Sequence, residues 1–404
     1  IPSIATDKRR EIISKLEQIK VAVRTVPSFH ELIADQKKMT DIQNLSLDDL
    51  LPRARVAKDL LDNAMLKTLF VSGAGGSIGS EIVRQLLENN PKAIILFDVS
   101  EYNLFNVERA CIALKESQNL DTEIIPILGD IKDSSNLDYL FSRFTVDCIY
   151  HAAAYKHVPL VEDVNNITVA CENNIIGTYN LALQAIEHKI ESFVMISTDK
   201  AVRPSNVMGA SKRMAEMVIQ SLNTSQSYTK FSMVRFGNVI NSSGSVIPLF
   251  LDQIAKGGPV TLTHKNVTRY FMTIPEASNL VLQAAQMSEG GEVFILDMGA
   301  QLKIYDLAKK LIHLSGRNVA AEPGGDGIEI KEVGLRPGEK MYEELLISGD
   351  QLSTDNPKIF KSMESFPSFE SIEYSLESLK TAIMANDYSQ IIKILKKNVE
   401  GYEV

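Results

Sequence analysis

The sequence predicts an α/β fold: a doubly wound parallel sheet followed by a smaller mixed α/β lobe. Three observations carry this. From residue 68 onwards, short apolar runs that read as buried strands alternate with helical stripes. The first run, Thr68-Leu-Phe-Val-Ser72, enters a glycine-rich turn, Gly73-Ala-Gly-Gly-Ser77-Ile78-Gly79, which opens directly into a helical pattern. The second run, Ala93-Ile-Ile-Leu-Phe97, ends on Asp98, roughly twenty residues after the glycines.

Bulk properties narrow the function. At 404 residues the chain is too long for one ordinary core and suggests two domains, with room for a further fragment. It is 45% hydrophobic and 23% charged, as soluble globular chains are, and its net charge of -9 argues against nucleic acid as the main partner. Cys111, Cys148 and Cys171 are few and unclustered, which argues against a disulfide scaffold and a metal site. No run of about eighteen apolar residues exists, so no membrane contact is expected of this fragment. It opens Ile-Pro-Ser rather than with Met, which suggests an excised or processed piece.

Taken in order, residues 1 to about 45 hold a helical stripe (Ile12, Ile13, Leu16, Ile19) and a short strand pattern, Val21–Val26. One helix and one strand bury no core alone, so they read as the tail of a truncated upstream domain, joined by a connector at 46–66. Residues 67–240 form the first complete domain. The helix at Glu81–Glu88 carries Ile82, Val83, Leu86 and Leu87 on one face and stops at Asn90-Pro91. Strand, glycine loop, helix, strand and acid together make the dinucleotide-binding order, with backbone N–H groups open to a pyrophosphate. Asp98 suits a ribose diol and disfavours a 2′-phosphate, so the expected cofactor is NAD. Gly73, Gly75, Gly76, Ser77, Ile78, Gly79 and Asp98 are its expected contacts, with Asp130, Ile131, Ala152 and Ala153 further along the chain.

Further strands end at Asp130-Ile131 and at His151-Ala152-Ala153, whose small residues would let the backbone meet a flat cofactor. His151 and His157 read equally well as satisfied turn histidines. Residues 167–188 read as one long helix, leading to the strand Phe193–Ser197. At the end of that strand stand Thr198, Asp199 and Lys200, followed by Met208 and Lys212, four apart at a helix start. Strand ends are where α/β proteins place ligands. Met214, Met217 and Val218 read as core.

Beyond Phe236-Gly-Asn238 the alternation loosens. Residues 241–350, including the segments 258–263 and 292–297, are expected to form a substrate lobe interleaved with the first domain. The turn Gly334-Leu-Arg336-Pro-Gly-Glu339-Lys340 suits phosphate recognition through its arginine. Residues 351–404 read as a C-terminal extension whose helical part, 370–404, lies on the surface.

With these residues in view, the chain resembles extended short-chain dehydrogenase/reductases that modify nucleotide sugars. It is most similar to the polysaccharide-biosynthesis dehydratases acting on UDP-N-acetylglucosamine. The glycine loop through Glu81, His151–Pro159, Ser197–Ala201, Met208–Lys212, Arg269–Met272 and Gly334–Lys340 match in order, over about residues 50–350. The superfamily's Tyr-x-x-x-Lys has Met208 in place of the tyrosine, and methionine cannot exchange a proton. Methionine there marks the large, membrane-anchored, configuration-retaining 4,6-dehydratases.

The resemblance implies a bound and recycled NAD held in part by Lys212. It implies Asp199 as acid and Lys200 as base, with Thr198 near sugar C4. Lys156, Asn238, Ser245, Val246, Pro248, Arg269, Met272, Arg336 and Glu339 are implied around the sugar nucleotide. It further implies a cytoplasmic-side enzyme whose parent is anchored by upstream helices, with UDP-N-acetylglucosamine and further copies of the chain as partners. The competing expectations are an inverting dehydratase, a UDP-sugar 4-epimerase and an inactive NAD-binding regulator.

Overall fold

The structure is a computed structural model. It describes residues 6–19, 24–25, 43–44, 64–240, 242, 245–322, 324–346, 351–362 and 364–403. Of the expected strand Val21–Val26 only Arg24–Thr25 falls among the described residues, where it pairs with Gln43–Asn44. Most of the connector at 46–66 lies outside them.

The chain divides into two compact units. The larger comprises Val56–Gly237, Ile274–Met298 and Pro337–Val404. Its strands are β1 (Thr68–Ser72), β2 (Ala93–Asp98), β3 (Glu123–Leu128), β4 (Cys148–His151), β5 (Ser192–Ile196), β6 (Lys230–Arg235), β7 (Val293–Leu296), β8 (Gln351–Ser353) and β9 (Ile359–Ser362). They form one sheet in the order β3-β2-β1-β4-β5-β6-β7-β9-β8. The sheet is parallel from β3 to β7 and antiparallel at β9 and β8. The chain runs outward from β1 to β3, then crosses back to β4. This is the doubly wound Rossmann order, and its crevice opens where the order reverses, between β1 and β4.

Local sequence explains the elements around that crevice. β1 and β2 are buried throughout, as apolar central parallel strands must be. Helix α1 (Ser77–Leu87) turns Ile82, Val83, Leu86 and Leu87 inward, all fully buried. Helices α2 (Glu101–Gln118) and α3 (Ser134–Arg143) start at Ser100 and Asp133, whose side chains accept the Asn103 and Asn136 N–H groups.

The stretch 167–188 is not one regular helix. Ile167–Cys171 is α-helical, Glu172–Gly177 is π-helical, and α4 (Thr178–Glu187) resumes the α form. The widened turn lets Asn174 bridge away from the helix. Its Oδ1 accepts the Tyr155 N–H at 2.8 Å, and its Nδ2 donates to Tyr155 O and to Ser211 Oγ, each at 3.0 Å. Helix α5 (Val207–Ser225) is capped by Asn206 and buried over most of its length, including Met214, Met217 and Val218. Helix α6 (Ile274–Gln286) meets α1 through Gln85 Nε2, which donates to Pro275 O at 2.9 Å.

Two further expectations are revised in this unit. Val293–Leu296, read as part of the smaller lobe, pairs in parallel with β6 and extends the large sheet. The C-terminal helices α7 (Phe369–Met384) and α8 (Tyr388–Asn398) are exposed on one face, as a surface element is, but pack the other into the core. Ile372, Leu376, Leu379, Ile391 and Leu395 are fully buried in the core cluster that also holds Met208 and Met214. Each such burial contributes roughly 1.5–3 kcal/mol, and the charged face masked the apolar one.

The smaller unit comprises Ile1–Arg55, Asn238–Thr273 and Gly299–Arg336. It is mixed α/β, with Asn238–Val239 parallel to Phe271–Met272 and Val260–Leu262 parallel to Ile330–Glu332. Thr268–Arg269 runs antiparallel to Leu302–Lys303. The helix Thr6–Ile19 packs on the helix Ile304–Leu314 of the same unit.

Candidate functional site

At the crevice of the larger unit, the glycine loop is shaped by contacts that leave no room for side chains. Gly73 has φ +65°, and a Cβ there would lie 2.7 Å from the Ala153 nitrogen. One on Gly75 would meet Asn103 at 2.5 Å, and one on Gly79 would sit 2.0 Å from Gly73 O. Helix α1 begins at Ser77 and Ile78, and its N-cap Gly76 supplies no side-chain hydrogen bond. The positive end of an 11-residue helix thus faces a bare backbone loop.

Asp98 closes the loop from β2. Its Oδ2 accepts the Gly75 N–H at 2.8 Å and its Oδ1 the Ser100 N–H at 2.9 Å. Each oxygen keeps a lone pair for a hydroxyl donor. Beside it, Asp130 Oδ1 accepts the Lys132 N–H, and Ile131 is buried against Gly177. Ala152 and Ala153 follow β4, with the Ala152 N–H bonded to Ser72 O. His151 is a satisfied buried histidine: its ring nitrogens lie 2.7 Å from Ser72 Oγ and 2.9 Å from Thr178 Oγ1. Burial, then the nearby charge of Lys212, push it down to about 3.

The ionisable stretch follows β5. Asp199, Lys200 and Ala201 form a single 3₁₀ turn held by the Asp199 N–H bonded to Phe236 O. Asp199 is fully buried. Its Oδ1 accepts from Thr198 Oγ1 and from Lys200 Nζ, each at 3.0 Å. Its Oδ2 is buried and has no hydrogen-bond partner among the described residues. Lys200 Nζ also lies 3.6 Å from Glu343 Oε1.

Helix α5 is pressed onto this turn, since a Cβ on Gly209 would come within 2.2 Å of Lys200 O. That contact places Met208, 3% exposed, in the first turn of α5. One turn further, burial pulls the Lys212 amine down to about 8 against the opposing charge of Glu216. Behind the turn, Ser197 Oγ donates to Glu216 Oε1 at 2.6 Å. Glu216 and Glu364 share the fully buried Arg235, with Arg213 alongside. Arg235 outweighs burial and holds the Glu216 carboxyl down at about 2. Strand end, α5 and the last sheet strand are thereby tied together.

The remaining candidate residues are spread more widely. Lys156 is exposed after β4. Asn238, Ser245, Val246, Pro248, Arg269, Met272 and Arg336 fall in the smaller unit, whereas Glu339 falls in the larger. In the smaller unit, Arg269 is buried and its Nη1 donates to Thr268 O at 2.8 Å. Met272 is fully buried and its carbonyl accepts the Ile240 N–H at 2.9 Å. Ser245 precedes the helix Val246–Ala255 without capping it, and Pro248 and Arg336 are exposed. Of the turn 242–248, residues 243 and 244 lie outside the described residues.

Glu343, Asn174 and Glu216 belong to this constellation and were not singled out by sequence. Glu343 follows the turn Gly334–Lys340 closely, but nothing in Lys340-Met-Tyr-Glu343-Glu344 separates it from an ordinary surface acid.

Residues 69–364 match the family described as polysaccharide biosynthesis protein. The chain belongs to that family. The matched span runs from β1 to Glu364, the last acid of the buried network, and so takes in both the glycine loop and the Asp199–Lys200 turn. The capsular polysaccharide biosynthesis protein CapD of Staphylococcus aureus is 47% identical to this chain over 350 residues. That alignment covers 86% of this chain and 56% of CapD, so the chain spans about half the length of that relative. A UDP-glucose 4-epimerase of Rickettsia canadensis is 32% identical over 297 residues, 72% of this chain and 80% of that protein. Among solved structures, Pen from Bacillus thuringiensis superposes with a TM-score of 0.64 at 34% identity, covering 76% of this chain and 89% of that one.

Proposed function

We propose that this chain carries a nucleotide-sugar 4,6-dehydratase that acts on UDP-N-acetylglucosamine, recycles bound NAD and retains the configuration at C5. The observation that carries the reading is the Asp199–Lys200 pair, 3.0 Å apart at the end of β5. Elimination of water across C5 and C6 needs one acid and one base side by side, and general acid–base groups contribute roughly 10²–10⁴-fold each.

The glycine cradle fits a dinucleotide diphosphate, because the positions where a Cβ would collide are those that must let backbone approach it. Asp98 would hold the adenosine ribose, and Lys212 the nicotinamide ribose. When bound, NAD would supply the redox chemistry, accepting a hydride from sugar C4 and giving it to C6.

The chain's own residues move protons. Thr198, bonded to Asp199 Oδ1, would relay the C4 hydroxyl proton to Asp199, since Met208 cannot take it. Asp199 would then give that proton to the C6 hydroxyl as the C6–O bond breaks, while Lys200 takes the C5 proton. Lys200 would return the same proton to the same face of C5, which yields retention.

The sequence relationship to a 4-epimerase favours a second reading, in which C4 alone is inverted. That reaction needs no acid at C6, so it leaves Asp199–Lys200 without a task. Incubation with UDP-N-acetylglucosamine and no added NAD, followed by mass spectrometry and NMR, decides. The dehydratase gives loss of one water and a C6 methyl doublet; an intact C6 hydroxymethyl group in a C4 epimer overturns it.

A further inference from the structure

Lys200 does not face Asp199 alone. The segment after Gly338 is stitched onto the loop that follows the 3₁₀ turn. Ser205 Oγ and Asn206 Nδ2 donate to Gly338 O at 2.8 and 3.0 Å, and Lys340 Nζ donates to Val202 O at 3.0 Å. Arg203 pairs with Glu344 at 2.8 Å. Gly338 has φ +72°, and a Cβ there would meet Asn206 and the Ser205 carbonyl at 2.8 Å. Only glycine permits so close a seam. Its consequence is to deliver the Glu343 carboxylate, 4% exposed, to 3.6 Å from Lys200 Nζ.

We infer that Glu343 is a positioning residue for Lys200, holding the amine beside Asp199 and governing its charge. The inference rests on the reading of Lys200 as the C5 base. A solvated ion pair of this length stabilises little. Here the amine is 19% exposed and the two carboxylates beside it are 0% and 4% exposed, so water screens the trio poorly. Two buried carboxylates on one amine favour the ammonium form, whereas a base must be neutral. Glu343 thereby sets the pH above which the Lys200 amine is free to accept a proton. Among the described residues, Asp199 and Glu343 are charged groups beside Lys200; Arg203 pairs with Glu344, and Lys340 donates to backbone.

The test uses the whole chain and two readouts. The first is trace acetylation with acetic anhydride across pH, with the Lys200 peptide followed by mass spectrometry, which reports the neutral fraction of that amine without any substrate. Glu343→Gln removes one negative charge, so the Lys200 labelling curve moves toward acid by about one pH unit or more. Glu343→Asp restores it, and Glu344→Gln, in the same segment, leaves it in place. Coincident curves for wild type and Glu343→Gln overturn the inference. The second readout is the pH dependence of kcat for water release. Its rising limb moves with the labelling curve when Lys200 is the base. A labelling shift with an unmoved kcat limb upholds Glu343's hold on Lys200 and overturns Lys200 as the base, so the two failures are distinguishable.

Discussion

Lys200 Nζ donates to Asp199 Oδ1 at 3.0 Å, while Asp199 Oδ2 is buried with no hydrogen-bond partner among the described residues. One oxygen of the acid is engaged and the other is sealed from solvent. A buried polar atom without a partner costs about 1–3 kcal/mol.

Replacing the amine isolates its role. Lys200→Ala is expected to lower kcat for water release by at least about 10²-fold while leaving NAD and sugar-nucleotide affinity within a few-fold. Turnover within tenfold of wild type would remove Lys200 from the elimination step.

Met208 tests the proton path from C4. Because Thr198 and Asp199 are already hydrogen bonded, Met208→Tyr is expected to give no gain in kcat. The site is 3% exposed in a packed core, so the longer ring costs about 1–3 kcal/mol through overpacking. A strong rise in activity would show that a phenol is missing there.

The glycine loop predicts a graded response. Gly79→Ala places a methyl group 2.0 Å from Gly73 O, and the loop must move. NAD affinity should fall at least about 10²-fold, with a lower Tm. Gly76→Ala meets its nearest atom, Gly73 O, only at 3.2 Å and is expected to be far milder. Equal losses from both variants, measured by calorimetry and thermal melting, would contradict the cradle geometry.

Stability should depend on pH through His151. Its folded value is about 3 against an ordinary 6.5, so between these values the unfolded chain binds the proton and the folded chain does not. The contribution is complete above pH 6.5 and is lost as pH falls toward 3. His157, also lowered by burial, acts in the same direction. Glu216, held at about 2 against an ordinary 4.5, adds its loss only below pH 4.5. Urea midpoints should therefore fall from pH 6.5 to 5, and His151→Asn should flatten most of that slope. Parallel slopes for the two proteins would refute it.

Features set by near neighbours in the chain were legible in the sequence. The glycine spacing, the acid ending β2 and the adjacency of Asp199 and Lys200 reach the site through a few backbone torsions, whatever the rest of the chain does. Where several packing solutions suit one pattern, the sequence was silent. Ile372, Leu376 and Leu379 lie on a helix whose charged face suggested solvent, yet their apolar stripe is buried in the core. The π-helical turn at Glu172–Gly177 goes with hydrogen bonds from Asn174 to Tyr155 and Ser211, which no helical periodicity encodes.

By itself, then, the sequence determined the doubly wound class, the loop that would hold a dinucleotide, and the acid and amine that stand together after β5. Tertiary structure alone decided that Val293–Leu296 extends the large sheet, that Arg235 joins Glu216 to Glu364, and that Glu343 faces Lys200. The reason is physical. Local motifs are fixed by covalent neighbours and backbone sterics, whereas the meeting of distant charges depends on which buried surfaces the whole chain brings into register.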